Sequence, residues 1–89
     1  MVQAHLIYNG TVQGVGFRFT VQRLALNLHL TGWVKNLPNG AVEALIEGSK
    51  EAVEELCKSI EERFEGYIRD KEIQFTPALG QFKKFEVTY

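Results

Sequence analysis

The residues with the clearest chemical potential form one run, Gly10-Thr11-Val12-Gln13-Gly14-Val15-Gly16-Phe17-Arg18. Consecutive backbone N–H groups in a glycine-punctuated turn can converge on an anion, and the positive end of a helix starting there adds to the attraction. Gly14 and Gly16 permit positive φ and a close approach of the chain to a ligand. Arg18 contributes a planar fork that matches two oxygens of one phosphate. An anion site would then consist of backbone amides of this run together with Arg18. The same glycines equally serve a tight strand-to-helix turn with Arg18 on the surface, and spacing alone leaves both readings open. No G-x-x-x-x-G-K-[ST] loop is present, and Gly14-Val15-Gly16 lacks the third glycine of a dinucleotide loop. Gly16-Phe17-Arg18-Phe19-Thr20-Val21 weakly matches an RNA-binding motif, but it has Arg18 where a small residue belongs and it opens a helix instead of filling a strand.

Elsewhere the reactive side chains are isolated. Cys57 shares helical spacing with Val53, Leu56, Ile60 and Phe64, which makes it packing filler, since a nucleophilic thiolate needs an electropositive and accessible setting. As the only cysteine it can form neither an internal disulfide nor a cysteine zinc site. His5 alternates with strand residues, and His29 follows a helix, where it can favour the negative end of the dipole. Arg23 falls on a different helical face from Arg18 and is expected in solvent. There is no cluster of metal ligands, and no cofactor is expected.

These residues need elements to position them. Gln3 to Asn9 reads as a strand and Gly10 to Gly16 as a loop. From about Arg18 to Leu28, the apolar residues Val21, Leu24, Ala25 and Leu28 form a helical stripe. Trp33 to Asn36 and Ala41 to Glu47 read as strands joined by the turn Pro38-Asn39-Gly40. Ser49 is a natural N-cap for a second helix, whose stripe runs from Val53 to Phe64. Ile68 to Phe75 reads as a strand, and Phe85, Val87 and Tyr89 alternate as a last one. The order β-α-β-β-α-β predicts an α+β, ferredoxin-like sandwich with one antiparallel sheet and both helices on one face, residues 1–89 forming one domain. Such a fold hosts many functions and decides nothing by itself.

The 89 residues are 45% hydrophobic and 24% charged, a globular composition. No apolar run reaches the roughly 18 residues of a membrane span, and the basic region of a signal peptide is missing. With the single cysteine, this predicts a reducing cytoplasm. The net charge of −1 argues against a nucleic-acid partner. Residues 1–42 contain Arg18, Arg23 and Lys35 and no acid, whereas all 11 acids and the remaining seven bases follow, giving halves of +3 and −4. An anion would meet the friendlier field near the first half, but charge alone favours the plainer reading that the acids decorate a solvated second helix.

At these residues the sequence resembles the acylphosphatase family. Gly10 to Arg18 meets the family's first signature, G-x-V-Q-G-V-x-F-R, in full. Gly32-Trp33-Val34-Lys35-Asn36, Gly40, Val42 and Gly48 meet the second. The resemblance covers nearly the whole chain and is most specific from residue 10 to 48. It implies a hydrolase that cleaves the carboxyl-phosphate bond of acyl phosphates. Carried over by position, Arg18 and the amides of Gln13 to Phe17 would bind phosphate, and Asn36 would hold the attacking water. Alternation points Lys35 away from Asn36. Trp33 and Tyr8 read as core or sheet-face aromatics, and an aromatic near Asn36 could contact the acyl group.

His29 stands where the family commonly has glycine, Asn39 where it has Asp, Leu37 where a small or polar residue is common, and Gly66-Tyr67 where Gly-Pro is frequent. None of these departures touches Arg18 or Asn36. The expected partners are a small-molecule acyl phosphate and inorganic phosphate, with neither nucleic acid nor membrane, and the chain is expected to be a monomer. Two further readings stand beside the hydrolase: a phosphate or acyl-phosphate binding module without turnover, and an accessory domain handling carbamoyl phosphate in a larger protein.

Overall fold

A computed structural model describes residues 1–89. The elements are β1 (Val2–Gly10), α1 (Phe17–Asn27), β2 (Thr31–Asn36), β3 (Val42–Gly48), α2 (Lys50–Arg63), β4 (Ile68–Pro77) and β5 (Phe85–Thr88). The sheet order is β4-β1-β3-β2-β5. Four strands form the expected ferredoxin-like β-α-β-β-α-β unit, with β1–β3, β1–β4 and β2–β3 antiparallel. A fifth strand extends it: β5 lies parallel to β2, with Gly32 opposite Phe85 and Val34 opposite Val87. The sheet is therefore mixed and not wholly antiparallel.

Alternation decides which face each strand buries. Ala4, Leu6 and Tyr8 of β1, Val34 of β2, and Val42, Ala44 and Ile46 of β3 are buried, while their neighbours in sequence face the other side. Both helices complete this core, α1 through Phe17, Val21 and Ala25 and α2 through Val53, Leu56, Cys57 and Ile60. Cys57 is buried as expected, and burial pushes its thiol above the ordinary range. Tyr8 is buried too; its hydroxyl donates to Glu61 Oε2 at 3.0 Å, and burial first, then Cys57 and Glu61, keeps it protonated.

Helix α1 ends at Leu28 in a double hydrogen-bonded turn: His29 N–H donates to Leu26 O and Leu30 N–H to Ala25 O. That motif requires a left-handed residue at its centre, and His29 supplies it at φ 57°. An L side chain there costs about 1–2 kcal/mol, partly offset by the smaller entropy it loses on folding compared with glycine. Glu47 provides the other special anchor. It is a buried carboxylate that accepts from the N–H groups of Leu79 (2.8 Å) and Gly80 (3.1 Å) and from Gln3 Nε2 (2.9 Å), pinning the β4–β5 connection. These donors, the Leu79 amide foremost, hold its pKa below the ordinary 4.5, although burial opposes them.

Two predictions follow from these anchors. His29→Gly raises the urea midpoint of unfolding with an unchanged slope, corresponding to about 0.5–1 kcal/mol. Because the folded protein lowers the pKa of Glu47, its contribution is fully present above the ordinary 4.5 and is lost as pH falls through the folded value. Glu47→Gln is therefore less stable than the native chain at neutral pH, and the gap narrows as pH falls below the ordinary 4.5. Denaturant unfolding of both proteins across that range checks this.

Candidate active site

The loop between β1 and α1 is held by its side chains. Val12 and Phe17 are buried, and the Phe17 ring packs against Tyr8 (centroids 5.5 Å apart) and Phe64 (4.6 Å). The RNA-like fragment is thereby explained as core: Phe17 is no stacking platform. Gln13 reaches across to the β2–β3 turn, where its Nε2 donates to the carbonyls of Leu37 (2.7 Å) and Ala41 (2.8 Å).

Between these anchors Gly14 and Gly16 take φ of 78° and 77°. A Cβ at either would meet nothing within 4 Å, so backbone conformation and not crowding demands glycine there. Gly16 is the N-cap of α1 and offers no side-chain oxygen, and the first turn carries no acid. Helix α2 is built differently: Ser49 Oγ accepts the Ala52 N–H at 3.1 Å, and Glu51 lies in the first turn. Outside the regular elements, no N–H of residues 12–19 donates to a backbone carbonyl. The first amides of a helix lack intrahelical acceptors. The stretch thus combines a run of unused donors with the positive end of a helix dipole, as anion sites do.

A cavity of about 160 Å³ opens here, lined by Val12, Gly14, Gly16, Phe17, Arg18, Phe19 and Asn36. Arg18 is partly buried. Its Nη1 donates to the Thr88 carbonyl at 3.3 Å, and its guanidinium carbon lies 4.7 Å from the centroid of the Tyr89 ring. The carboxylates that form ion pairs are Glu43, Glu61 and Glu86, and none of them pairs with Arg18. Asn36 ends β2 on the same face as Gly32 and Val34. Its Oδ1 is buried and accepts from no protein group. Burying an amide oxygen unpaired costs about 1–3 kcal/mol, and such groups in native folds call for a specific explanation.

Of the residues singled out in the sequence, Gly14, Gly16, Phe17, Arg18 and Asn36 therefore line one cavity. Gln13 stands beside them with its side chain used as a brace, and Val15 is 38% exposed outside the lining. Neither aromatic considered for an acyl contact is placed for it. Tyr8 is in the core, and Trp33 alternates onto the open sheet face, where Lys35 Nζ sits 5.1 Å from its ring. His5 is on that open face as well, with Nε2 2.6 Å from Glu43 Oε2. Reasoning from the sequence missed the Gln13 brace, the backing of Arg18 by Thr88 and Tyr89, and Phe19 in the lining. The signal for Gln13 was its place inside the first motif; the contacts of Arg18 depend on where β5 docks, which local pattern does not give.

A larger groove of about 590 Å³ runs between α2 and β4, over Cys57, Ile73 and Phe75. Its central charges are already engaged, Glu61 Oε2 with Lys71 Nζ at 2.7 Å and with the Tyr8 hydroxyl. No set of unused donors converges there as it does around residue 14.

A family model described as Acylphosphatase matches residues 4–87. The acylphosphatase of Aeropyrum pernix is 40% identical over 91 residues, spanning 100% of this chain and 90% of the relative. The crystal structure of acylphosphatase from Bacillus subtilis superposes with a TM-score of 0.93 at 35% identity, covering 100% of both chains. All of this chain also superposes on 12% of HypF from T. kodakarensis, with a TM-score of 0.84 and 31% identity. The two motifs, the mixed five-stranded sheet and these likenesses agree: the chain belongs to the acylphosphatase family.

Proposed function

We propose that the chain hydrolyses acyl phosphates to a carboxylate and inorganic phosphate without a metal ion, using Arg18, the amides of residues 13–17 and Asn36. The observation that carries this reading is the meeting of two unsatisfied partners in one cavity: Arg18, unpaired by any carboxylate, and Asn36, whose buried Oδ1 accepts from no protein group. Arg18 donates to phosphoryl oxygens while the loop amides and the α1 dipole offset their charge. A water molecule donates one hydrogen to Asn36 Oδ1 and turns a lone pair toward phosphorus. As the water oxygen bonds to phosphorus, the bond from phosphorus to the acyl oxygen breaks and the carboxylate leaves with its electron pair. A phosphoryl oxygen takes the remaining proton, so no general base is needed.

The substrate explains this sparse machinery. A mixed anhydride is already activated and its carboxylate is a good leaving group. Positioning and fixed charge can then supply most of the acceleration. The monomer and the cytoplasmic setting belong to the same reading. A second reading is an accessory domain of a longer protein with carbamoyl phosphate as its substrate; the match to one segment of HypF supports the longer protein.

Hydrolysis of benzoyl phosphate in the presence of chelator, followed by ultraviolet absorbance, tests the proposal. Arg18→Ala is expected to weaken inhibition by inorganic phosphate at least tenfold and to lower kcat/KM by about 10²–10³. Asn36→Ala is expected to lower kcat by a similar factor while phosphate still binds. Equal phosphate affinity in the native chain and Arg18→Ala would sink the arginine assignment, and turnover restored only by added metal would sink metal independence. Turnover of carbamoyl phosphate well above that of benzoyl phosphate would favour the second reading.

A further inference from the structure

The cavity that receives the phosphoryl group is too small for much else. Its volume of about 160 Å³ matches a cavity that holds one benzene-sized molecule. Once a phosphoryl group and the attacking water are inside, the acyl part of a substrate has to extend out over the rim. The rim is apolar where the fold has no use for apolar residues. Helix α1 spends Phe17, Val21 and Ala25 on the core; Phe19 lies two residues on from Phe17, about 200° around the helix, and is 58% exposed. It nevertheless lines the catalytic cavity together with Arg18 and Asn36. Val15, between the two loop glycines, is 38% exposed. A single exposed apolar residue is ordinary. A phenylalanine in solvent that also borders a charged cavity offers a surface for the uncharged half of a ligand whose other half is anionic.

We infer that Phe19, with a smaller contribution from Val15, is the acyl-contacting surface of the site and makes the enzyme prefer acyl phosphates with large apolar or aromatic acyl groups over acetyl phosphate. The inference rests on the proposed hydrolysis and names its substrate class. Phe19 does no chemistry: it adds apolar contact to the bound acyl group, and through that contact holds the phosphoryl group against Arg18 and the loop amides. Its backbone N–H stays in place whatever side chain it carries, so replacing the ring alters the rim and leaves the anion loop intact. Because the ring is largely outside the core, its removal is expected to change folding little.

The test compares kcat/KM for benzoyl phosphate and acetyl phosphate in the native chain, Phe19→Ala and Phe19→Leu. Taking the ratio of the two substrates within each protein, and comparing ratios, cancels the intrinsic difference between the leaving groups. Phe19→Ala is expected to lower the benzoyl-to-acetyl ratio about tenfold, in the range by which apolar pockets discriminate, and Phe19→Leu to recover part of it. Inhibition by inorganic phosphate, which has no acyl group, should shift less than threefold. An unchanged ratio in Phe19→Ala overturns the inference and leaves the hydrolase standing. Equal losses for both substrates and for phosphate also overturn it, since they mark a disturbed anion loop. No turnover of either substrate by the folded native chain overturns the hydrolase reading, and the inference with it.

Discussion

A loop whose backbone amides have no carbonyl partners cannot be held in place by those amides. This constraint organises the structure around residues 12–19. Ordinary turns and helix starts consume their own donors, as α2 does when Ser49 takes the Ala52 N–H. The β1–α1 loop is fixed instead by what its side chains do on the far side. Val12 and Phe17 anchor it in the core, and the Gln13 amide spans to two carbonyls of the neighbouring turn. Gly14 and Gly16, which lack a Cβ, take the left-handed φ that the loop needs between these anchors. The core aromatics Tyr8, Phe17 and Phe64 therefore serve the site as much as the fold, since the ring of Phe17 sets where the next residue, Arg18, begins.

Sheet alternation divides the remaining work. One face of the sheet meets the helices and carries Asn36 at the end of β2, in line with Val34 and Gly32. The other face carries Trp33, Lys35, His5 and Glu43, an interacting group joined by a His5–Glu43 hydrogen bond and the nearby Lys35 charge. Residues adjacent in sequence, Lys35 and Asn36, thus belong to different environments, one to an ion pair in partial solvent and the other to a buried cavity wall.

Much of this was legible in the chain, and the reasons are local. The stripe of Val21, Leu24, Ala25 and Leu28 is a helix by period alone, and the structure places the helix over Phe17–Asn27. The Ser49 cap and the Pro38-Asn39-Gly40 turn mark element ends by their own chemistry. Lys35 was assigned correctly to the face opposite Asn36 by alternation; the same rule applied to Trp33 removes it from the acyl contact. What stayed hidden was non-local. Phe85 and Val87 announce a strand but not that it lies parallel to β2, so the antiparallel sheet expected from the first six elements became a mixed one. Strand β4 is at an edge and exposes both faces, and Arg69-Asp70-Lys71-Glu72 blurs its period accordingly. Gln13 was read for its backbone because nothing in a motif says that its side chain will reach two carbonyls more than twenty positions away.

The parallel docking of β5 has a consequence for when the site comes into being. Arg18 takes its backing from Thr88 and Tyr89, partners separated from it by most of the chain. The entropy of closing so long a loop grows only slowly with its length, so the equilibrium cost is modest. Its effect falls on the rate, because closure entropy has to be met before a non-local contact rewards it. Species that have packed α1 against β2 and α2 but have not yet laid β5 against β2 contain the glycine loop without an oriented arginine. The orientation of Arg18 is thus coupled to a contact 70 positions away in the chain, and a ligand bound by the completed site would stabilise the finished fold over its partly assembled forms.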